Sequence, residues 1–382
     1  MRRALNLDAP LRHINSAKKP KHQKHPNGET SMPKSFNLDR RRFCGAAAMA
    51  IAATQLGSQA SVSAESSDGE SAITTVLSPQ PETHTSFAPL KQIDAGVLNV
   101  GYAEAGPADG KVVILLHGWP YDIYSYVDVA PILAAAGYRV IVPYTRGFGT
   151  TRFLSGETFR NGEQVVFAVD TIAFMDALKI KNAIIGGYDW GTRTASIMAA
   201  LWPDRVKALV AVSGYGIPNI KAQTQPLLPA GEHFWWYQFY FITERGRLGY
   251  SEYRHVFNKL IWQLASPKWN FSDATYERTA ASFNNPDHVD ITIRNYRCRY
   301  NWLDKGEPKY AALEDRLQQF PTISVPTITI ASDFDGANAS GTAYRNKFLG
   351  KYSHRIFHGI GHDVPQEAPQ AFAKAILDVD AF

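Results

Sequence analysis

Cysteine is scarce in this chain, with two in 382 residues, Cys44 and Cys298. Cys44 falls in a segment that we interpret below as a removable leader, which leaves Cys298 alone in the folded part. A single cysteine cannot form an internal disulfide. The fold must therefore rely on its core, for which the chain length and a hydrophobic content of 45% are sufficient.

Long hydrophobic runs are also missing. No segment approaches the roughly 18 consecutive apolar residues that a membrane-spanning helix needs. An Ala-rich run over residues 45–56 is too short to cross a bilayer stably. The sequence therefore predicts no stable membrane span.

The folded body lacks the positive charge that the whole chain carries. The net charge of the chain is +5, but residues 1–64 hold 11 Lys and Arg against 3 Asp and Glu. The remaining residues hold 29 basic against 32 acidic side chains. A slightly acidic body argues against a nucleic-acid partner.

The basic N-terminal segment has the features of an export signal. Residues 39–43, Asp-Arg-Arg-Arg-Phe, resemble a twin-arginine signature, and the apolar run at 45–56 precedes small-residue cleavage sites at 58–60 and 62–64. We predict a leader over 1–64 that is read by an export machinery, and hence a periplasmic or secreted location. Met32 is a natural start for such a signal, so a start at Met1 or at Met32 stays open.

The rest of the chain divides by composition. Residues 65–88 are rich in Ser, Glu, Thr and Pro, and we predict a disordered linker there. From 89 to 213 and again from 321 to 382, short unbroken apolar runs alternate with helical periodicity. This alternation predicts an α/β core with a mostly parallel sheet covered by helices on both faces.

Residues 214–320 interrupt that alternation. They are helical in tendency and rich in Trp, Tyr and Phe. An aromatic helical insertion of this kind has its own small core, and we predict that it also forms a lid over an apolar pocket.

Residues 187–191, Gly-Tyr-Asp-Trp-Gly, carry the strongest functional signal. They lie between an apolar run and a helical segment, which is the strand, sharp turn and helix of a nucleophile elbow. The elbow presents Asp189 instead of Ser. Asp189, Asp333 and His362 follow one another in the order nucleophile, acid, histidine, which predicts the α/β-hydrolase fold.

From about residue 89 the chain resembles the epoxide hydrolase and haloalkane dehalogenase branch of this fold. The shared motifs are His-Gly-Trp-Pro at 117–120, Arg-Gly-Phe-Gly at 146–149, the elbow, and Gly361-His362. The resemblance implies that Asp189 attacks a saturated carbon and forms an alkyl ester. It also implies that His362 activates water to hydrolyse that ester, and that the Trp119–Pro120 peptide is cis.

The resemblance assigns supporting roles as well. Backbone N–H groups of Trp119 and Trp190 would form the oxyanion hole. An acid after a late strand would orient His362. Asp333 is favoured because it is nearer the strand end, with Asp335 kept as the alternative.

The leaving group decides the activity within this branch. Epoxide opening needs an acid, for which Tyr237 and Tyr296 resemble the two lid tyrosines of epoxide hydrolases, with Tyr240 as a substitute. Halide release would use the indole N–H groups of Trp190 and Trp119. Arg193 resembles the carboxylate-binding arginine of haloacetate dehalogenases, and we assign Trp190, Arg193 and Trp236 to substrate binding.

We therefore expect an epoxide-hydrolase-like enzyme that acts on a small apolar or aromatic substrate and needs no metal or cofactor. A haloalkane or haloacetate dehalogenase is the first alternative. A non-catalytic binding protein of the same fold is the second. The sequence leaves a homodimer open.

Overall fold

The computed structural model describes residues 72–300 and 306–382. The predicted leader over 1–64 and the first residues of the predicted linker lie outside the described residues.

In the described ranges a central sheet of ten strands forms the core, in the order β1-β10-β9-β8-β7-β4-β5-β3-β2, with β6 paired to β3. The strands are β1 Ile73–Val76, β2 Lys91–Ala95, β3 Leu98–Ala105, β4 Lys111–Leu116, β5 Tyr138–Pro143, β6 Arg152–Phe153, β7 Ala183–Gly187, β8 Val206–Val212, β9 Thr327–Ser332 and β10 Tyr352–His358. The pairs from β1 to β5 across the sheet are parallel, while β3 pairs antiparallel with β2, β5 and β6. Strands β7 and β9 are buried along their whole length, which explains why they read as unbroken apolar runs.

Helices cover the sheet in two groups. Helices α1 (Val129–Ala135), α10 (Val364–Glu367) and α11 (Pro369–Asp380) pack together, and α2 (Gln164–Ala177) packs on α3 (Trp190–Leu201). The expected α/β-hydrolase fold with a covered, mostly parallel sheet is confirmed.

The segment between β8 and β9, residues 213–326, is helical in its described part, and we call it the lid after its predicted role. It contains α4 Pro229–Phe234, α5 Trp236–Ile242, α6 Glu244–Ala265, α7 Asp273–Ala280, α8 His288–Arg299 and α9 Ala311–Leu317. Rings from α5, α6 and α8 pack on one another, for example Phe241 against Tyr250 and Tyr296. Across the described ranges, no helix has both the length and the apolar character to cross a bilayer.

The described part of the predicted linker is not a disordered linker. Strand β1 pairs in parallel with β10 from Ile73 to Val76. Further along, Glu82 pairs with Arg278 of α7 and accepts a 3.0 Å hydrogen bond from Gln366 of α10. The composition of the segment, rich in Ser, Thr, Pro and Glu, does not reveal that it is ordered. Backbone hydrogen bonds and ion pairs hold the segment in place, and it buries little apolar surface. We refer to residues 72–88 as the N-terminal strap.

Candidate active site

Asp189 lies at the end of β7 and opens α3 with φ 51° and ψ −120°. A positive φ is unusual for a residue with a side chain, and it turns the carboxylate out of the sheet edge. The close packing around it requires glycine at two positions. A Cβ at Gly118 would lie 2.4 Å from the Asp189 Cβ, and one at Gly191 would lie 1.8 Å from the Leu116 carbonyl oxygen.

Both carboxylate oxygens of Asp189 face groups that the sequence analysis selected. The Trp119 amide donates a 2.8 Å hydrogen bond to Oδ1, and Nε2 of His362 lies 3.6 Å from Oδ2. Burial opposes ionisation, but His362, the charge of Arg193 and the Trp119 amide outweigh it and lower the pKa of Asp189 to about 2. The carboxylate is therefore an ionised nucleophile at neutral pH.

The lid anchors the loop that carries His362. The backbone N–H of His362 donates to Oγ of Ser266 at 2.9 Å, and that hydroxyl donates to Glu367 at 2.7 Å. Glu367 also accepts from the Gly361 amide at 2.7 Å. The His362 ring packs on Phe334 with centroids 4.1 Å apart. These contacts fix the loop and one face of the ring.

Asp333 does not occupy the position predicted for the acid. Its carboxylate pairs with Lys268 at 2.7 Å and accepts from the Gly359 amide at 3.0 Å, at the protein surface. The alternative, Asp335, accepts from the Ser332 amide at 2.8 Å in a capping box, and its charge acts on His362. Burial raises the pKa of Asp335, and the Ser213 hydroxyl, the Ser332 amide and the charge of His362 oppose that rise. Asp335 therefore replaces Asp333 as the candidate acid, although Nδ1 of His362 has no hydrogen-bond partner among the described residues.

Tyr237 of α5 and Tyr296 of α8 lie together beside the nucleophile. Their ring centroids are 5.7 Å apart, and each packs on Trp119 at 5.3 and 5.4 Å. Burial raises the pKa of both phenols, and the charge of Asp189 raises each further. Both hydroxyls therefore stay protonated at neutral pH and can act as donors near Asp189.

The two indoles that flank Asp189 differ in their contacts. Nε1 of Trp119 donates to the Tyr250 hydroxyl at 2.9 Å, and that oxygen lies 2.9 Å from Nε2 of His288. Nε1 of Trp190, in contrast, is buried without a partner among the described residues. Sequence reasoning did not select Tyr250 or His288, since each is a single aromatic residue in an aromatic-rich segment.

Two other assignments from the sequence need correction. Trp236 packs against Tyr240 at 5.9 Å and Phe257 at 5.5 Å, and it does not line the cavity that its neighbour Trp235 lines. The neighbouring residue, Trp235, lines a cavity of about 230 Å³ that Arg193 also lines. Tyr240 stacks on Phe257 with centroids 6.1 Å apart, which leaves Tyr237 as the α5 tyrosine beside Asp189.

The remaining predicted residues lie around the same site. Arg193, on the first turn of α3, is near enough for its charge to act on Asp189. The backbone of Trp119 meets the requirement for an oxyanion donor, while the Trp190 amide makes no such contact with Asp189 among the described hydrogen bonds. The Trp119–Pro120 peptide is cis, as expected.

Within the described ranges, no group of His, Cys, Asp and Glu side chains is arranged to hold a metal ion.

The fold and the elbow define a family. A family model of the alpha/beta hydrolase fold matches residues 111–367, which is more than half of the chain. The chain therefore belongs to the α/β-hydrolase fold family.

Relatives within that family include epoxide hydrolases. The chain is 56% identical to a provisionally assigned epoxide hydrolase from Klebsiella pneumoniae, with a TM-score of 0.74, covering 77% of this chain and 97% of that one. Epoxide hydrolase B of Mycobacterium tuberculosis is 33% identical over 150 residues, 36% of this chain and 41% of that protein. Haloalkane dehalogenase of Psychrobacter cryohalolentis is 28% identical over 265 residues, 66% of this chain and 76% of that protein. The chain thus spans about two fifths of the first curated relatives, and the similarities support an epoxide-hydrolase-like hydrolase.

Proposed function

We propose that the protein hydrolyses epoxides through an alkyl ester on Asp189. The observation that carries this proposal is the pair of buried, protonated phenols, Tyr237 and Tyr296, beside an ionised carboxylate. Oδ2 of Asp189 attacks an epoxide carbon, the C–O bond opens, and the departing oxygen takes a proton from one of the two phenols, which becomes a phenolate stabilised by the other. Phenol is a weak acid, but the forming alkoxide is far more basic, so donation is favourable.

The second step is hydrolysis of the ester. His362 removes a proton from water, and the resulting hydroxide attacks Cγ of the ester. The ester oxygen leaves with the proton of the added hydroxyl group, which releases the diol and restores the Asp189 carboxylate. Protonated His362 then returns its proton to the phenolate that the first step produced. The Trp119 amide, already 2.8 Å from Oδ1, would stabilise the negative charge that develops on that oxygen. The charge of Asp335 would stabilise the protonated imidazole.

A dehalogenase is the second candidate, and one observation favours it. The unpartnered Nε1 of Trp190 could donate to a departing halide. The second indole donor is not free, however, because Nε1 of Trp119 donates to Tyr250. Halide release would therefore have a single indole donor, whereas epoxide opening has two phenols.

The test is to stop the reaction at the ester. His362→Gln should alkylate Asp189 and then fail to release product, because no base remains to activate water. Incubation with styrene oxide and with bromoalkanes of similar size, followed by intact-mass measurement and peptide mapping, identifies the adduct. An adduct whose mass equals the whole epoxide supports this proposal, and one equal to the alkyl group of a bromide supports the dehalogenase.

A matched control separates chemistry from damage. His358→Gln changes a half-exposed histidine near the same loop and should turn over without accumulating adduct. A double variant, Asp189→Asn with His362→Gln, should form none. The absence of any adduct across both panels, with wild-type turnover also absent, would contradict the enzymatic proposal and favour a non-catalytic binding protein.

A further inference from the structure

The C-terminal end of α6 contacts two core loops, one with the oxyanion donor and one with the base of the proposed mechanism. Nε1 of Trp262 donates a 2.8 Å hydrogen bond to the Pro120 carbonyl oxygen, next to the Trp119 amide. Ser266, the residue that caps α6, accepts from the His362 amide at 2.9 Å through its hydroxyl. Residues four apart lie on one face of a helix, so a single helix end joins the two loops.

The Ser266 hydroxyl makes two buried hydrogen bonds at once. It accepts from the His362 amide, and it donates to Oε1 of Glu367 at 2.7 Å. A hydroxyl has one proton to donate, and donation to the carboxylate leaves its lone pairs available for the amide. Ser266 is 1% exposed, so water has little access to either bond.

Glu367 holds the same loop from the core side. Its Oε2 accepts from the Gly361 amide at 2.7 Å, and its Oε1 accepts from the Asp363 amide at 3.1 Å. The amides of three consecutive residues are therefore bound, the outer two by the carboxylate itself and the middle one, of His362, through Ser266. This arrangement restricts the backbone from which the imidazole projects.

The packing of the lid on this loop is close enough to require glycine. A Cβ at Gly361 would lie 2.6 Å from both Cα and Oγ of Ser266, a distance that Cβ atoms essentially never show. Only a residue without a side chain therefore lets Ser266 reach the His362 amide. The contact between lid and loop thus accounts for the glycine of the Gly361-His362 motif.

We propose that Ser266, held by Glu367, is a positioning residue for His362 and serves hydrolysis of the ester more than its formation. This inference rests on the proposed function for the two steps. Attack by Asp189 does not use His362 as a base, whereas water activation needs Nε2 to stay close to Asp189, where it lies 3.6 Å from Oδ2. A displacement of about 1 Å can cost about 10²-fold in rate.

Single-turnover measurements separate the two steps. Excess enzyme is mixed with styrene oxide, and rapid quenching followed by intact-mass measurement gives the rise and decay of the Asp189 ester. In Ser266→Ala the decay should slow by about 10- to 100-fold, while the rise should stay within about threefold of the wild type. A retained first step also shows that the variant is folded, because Tyr237 and Tyr296 belong to the lid as well.

Glu367→Gln tests the carboxylate behind the hydroxyl. Its amide nitrogen would oppose one of the N–H groups that the carboxylate now accepts from, so ester decay should slow again while ester formation is retained. Ser251→Ala, at an exposed position of the same helix, is the matched control and should leave both steps unchanged. Unchanged decay in Ser266→Ala, or equal slowing of formation and decay, overturns the positioning role.

Amide exchange distinguishes this inference from the proposed function. Hydrogen–deuterium exchange of the segment 359–367 should be faster in Ser266→Ala than in the wild type, and unchanged in Ser251→Ala. Faster exchange, with no ester in the wild type or in His362→Gln, contradicts the proposed function while the contact between lid and loop stands. Ester turnover in the wild type, with equal exchange and equal decay in Ser266→Ala, contradicts the positioning role and leaves the function intact.

Discussion

At the residue scale, the chemistry depends on which donors near Asp189 are already engaged. The Trp119 amide is bound to Oδ1, and the Trp119 indole is bound to Tyr250. Among the described residues, Tyr237 and Tyr296 combine burial, a retained proton, proximity to the nucleophile and packing on Trp119. Trp119 thus has two separate roles: its backbone amide binds the nucleophile, and its indole is held by Tyr250.

The two phenols can be tested one at a time. Tyr237→Phe and Tyr296→Phe should each lower kcat for epoxide opening by about 10²- to 10⁴-fold, the usual range for a lost general acid. Single-turnover alkylation of Asp189, followed by mass, measures this step directly. Tyr240→Phe on the same helix should retain wild-type alkylation. Equal losses in all three variants would mean that ring packing, not proton donation, matters.

Asp122 makes stability depend on pH. It is buried next to the site, accepts from the Tyr124 amide and the Thr279 hydroxyl through Oδ1 at 3.0 Å each, and burial raises its pKa to about 7. Because the folded pKa is above the unfolded value of about 4, its contribution to stability is complete below about pH 4 and is lost as pH rises through 7.

Replacing this carboxyl with an amide should therefore stabilise the protein at high pH. Asp122→Asn keeps an acceptor for both donors and should raise the melting temperature at pH 8 by roughly 3–10 °C, with a smaller gain at pH 5. Thermal denaturation at several pH values measures this. Asp109→Asn, at an exposed loop, is the control. A gain of the same size at every pH would refute the assigned titration.

At the element scale, the lid is joined to the core at positions that matter for catalysis. Tyr250 of α6 links the indole of Trp119 to His288 of α8, whose other ring nitrogen lies 3.0 Å from the Gly147 carbonyl oxygen. Burial lowers the pKa of His288 to about 3, so the ring is neutral and one nitrogen can accept. Two lid helices and two core loops therefore share one buried hydrogen-bonded chain.

Breaking that chain at its centre should weaken the lid. Tyr250→Phe leaves the Trp119 indole and Nε2 of His288 unpaired, and we expect a loss of about 1–3 kcal/mol in the free energy of unfolding. Urea denaturation measures it. Tyr253→Phe, on the exposed side of the same helix, should change stability by less than about 0.5 kcal/mol. Similar values for the two variants would contradict the proposed link.

The N-terminal strap joins lid and core in a second place. Glu82 bonds Arg278 of the lid and Gln366 of α10, two residues before Ala368. Glu82→Ala leaves a largely buried arginine without its carboxylate, and should lower the free energy of unfolding by about 1–3 kcal/mol. Glu157→Ala, at an exposed turn, is the control in the same urea titration. An unchanged midpoint would show that the strap adds no stability.

At the scale of the whole molecule, the layered α/β architecture could be predicted from the sequence. A buried strand and a nucleophile elbow can each be recognised from residues that are neighbours in the chain. Strands buried on both faces must be apolar throughout, and the elbow needs a fixed pattern of Gly and Asp within five residues. The wrong assignments concern residues that are close together in the sequence but whose side chains point in different directions. Asp333 and Asp335 lie two residues apart on one tight turn, and the capping box of Ser332 together with the Ser213 hydroxyl holds Asp335 inward.

Other parts of the site depend on contacts between distant segments. Whether Trp235 or Trp236 lines the cavity is decided by how α5 sits on the core, and the Trp119–Tyr250–His288 chain joins three separate stretches. The hydrophobic periodicity of a sequence does not reveal which distant residues contact each other. The order within the strap was missed for the same reason, since β1 is recognised by its partner β10 more than by its own composition.

The export signal also belongs to this scale, and it remains a proposal. Arg40→Lys combined with Arg41→Lys preserves charge but removes the arginine pair. We expect it to retain the protein in the cytoplasm, because twin-arginine signals require the arginines themselves. Cell fractionation with immunodetection measures the distribution, and replacing Lys34 with Arg is the control. An unaltered periplasmic fraction would argue for another route.

The pairing of β1 with β10 has a consequence for biogenesis. The first strand of the described residues, β1, pairs with the last one, β10. During synthesis β1 must therefore wait, with its edge uncovered, until β10 has been made. Closure of this edge is a late event in folding, so an intermediate without β10 exposes backbone groups that the folded protein covers.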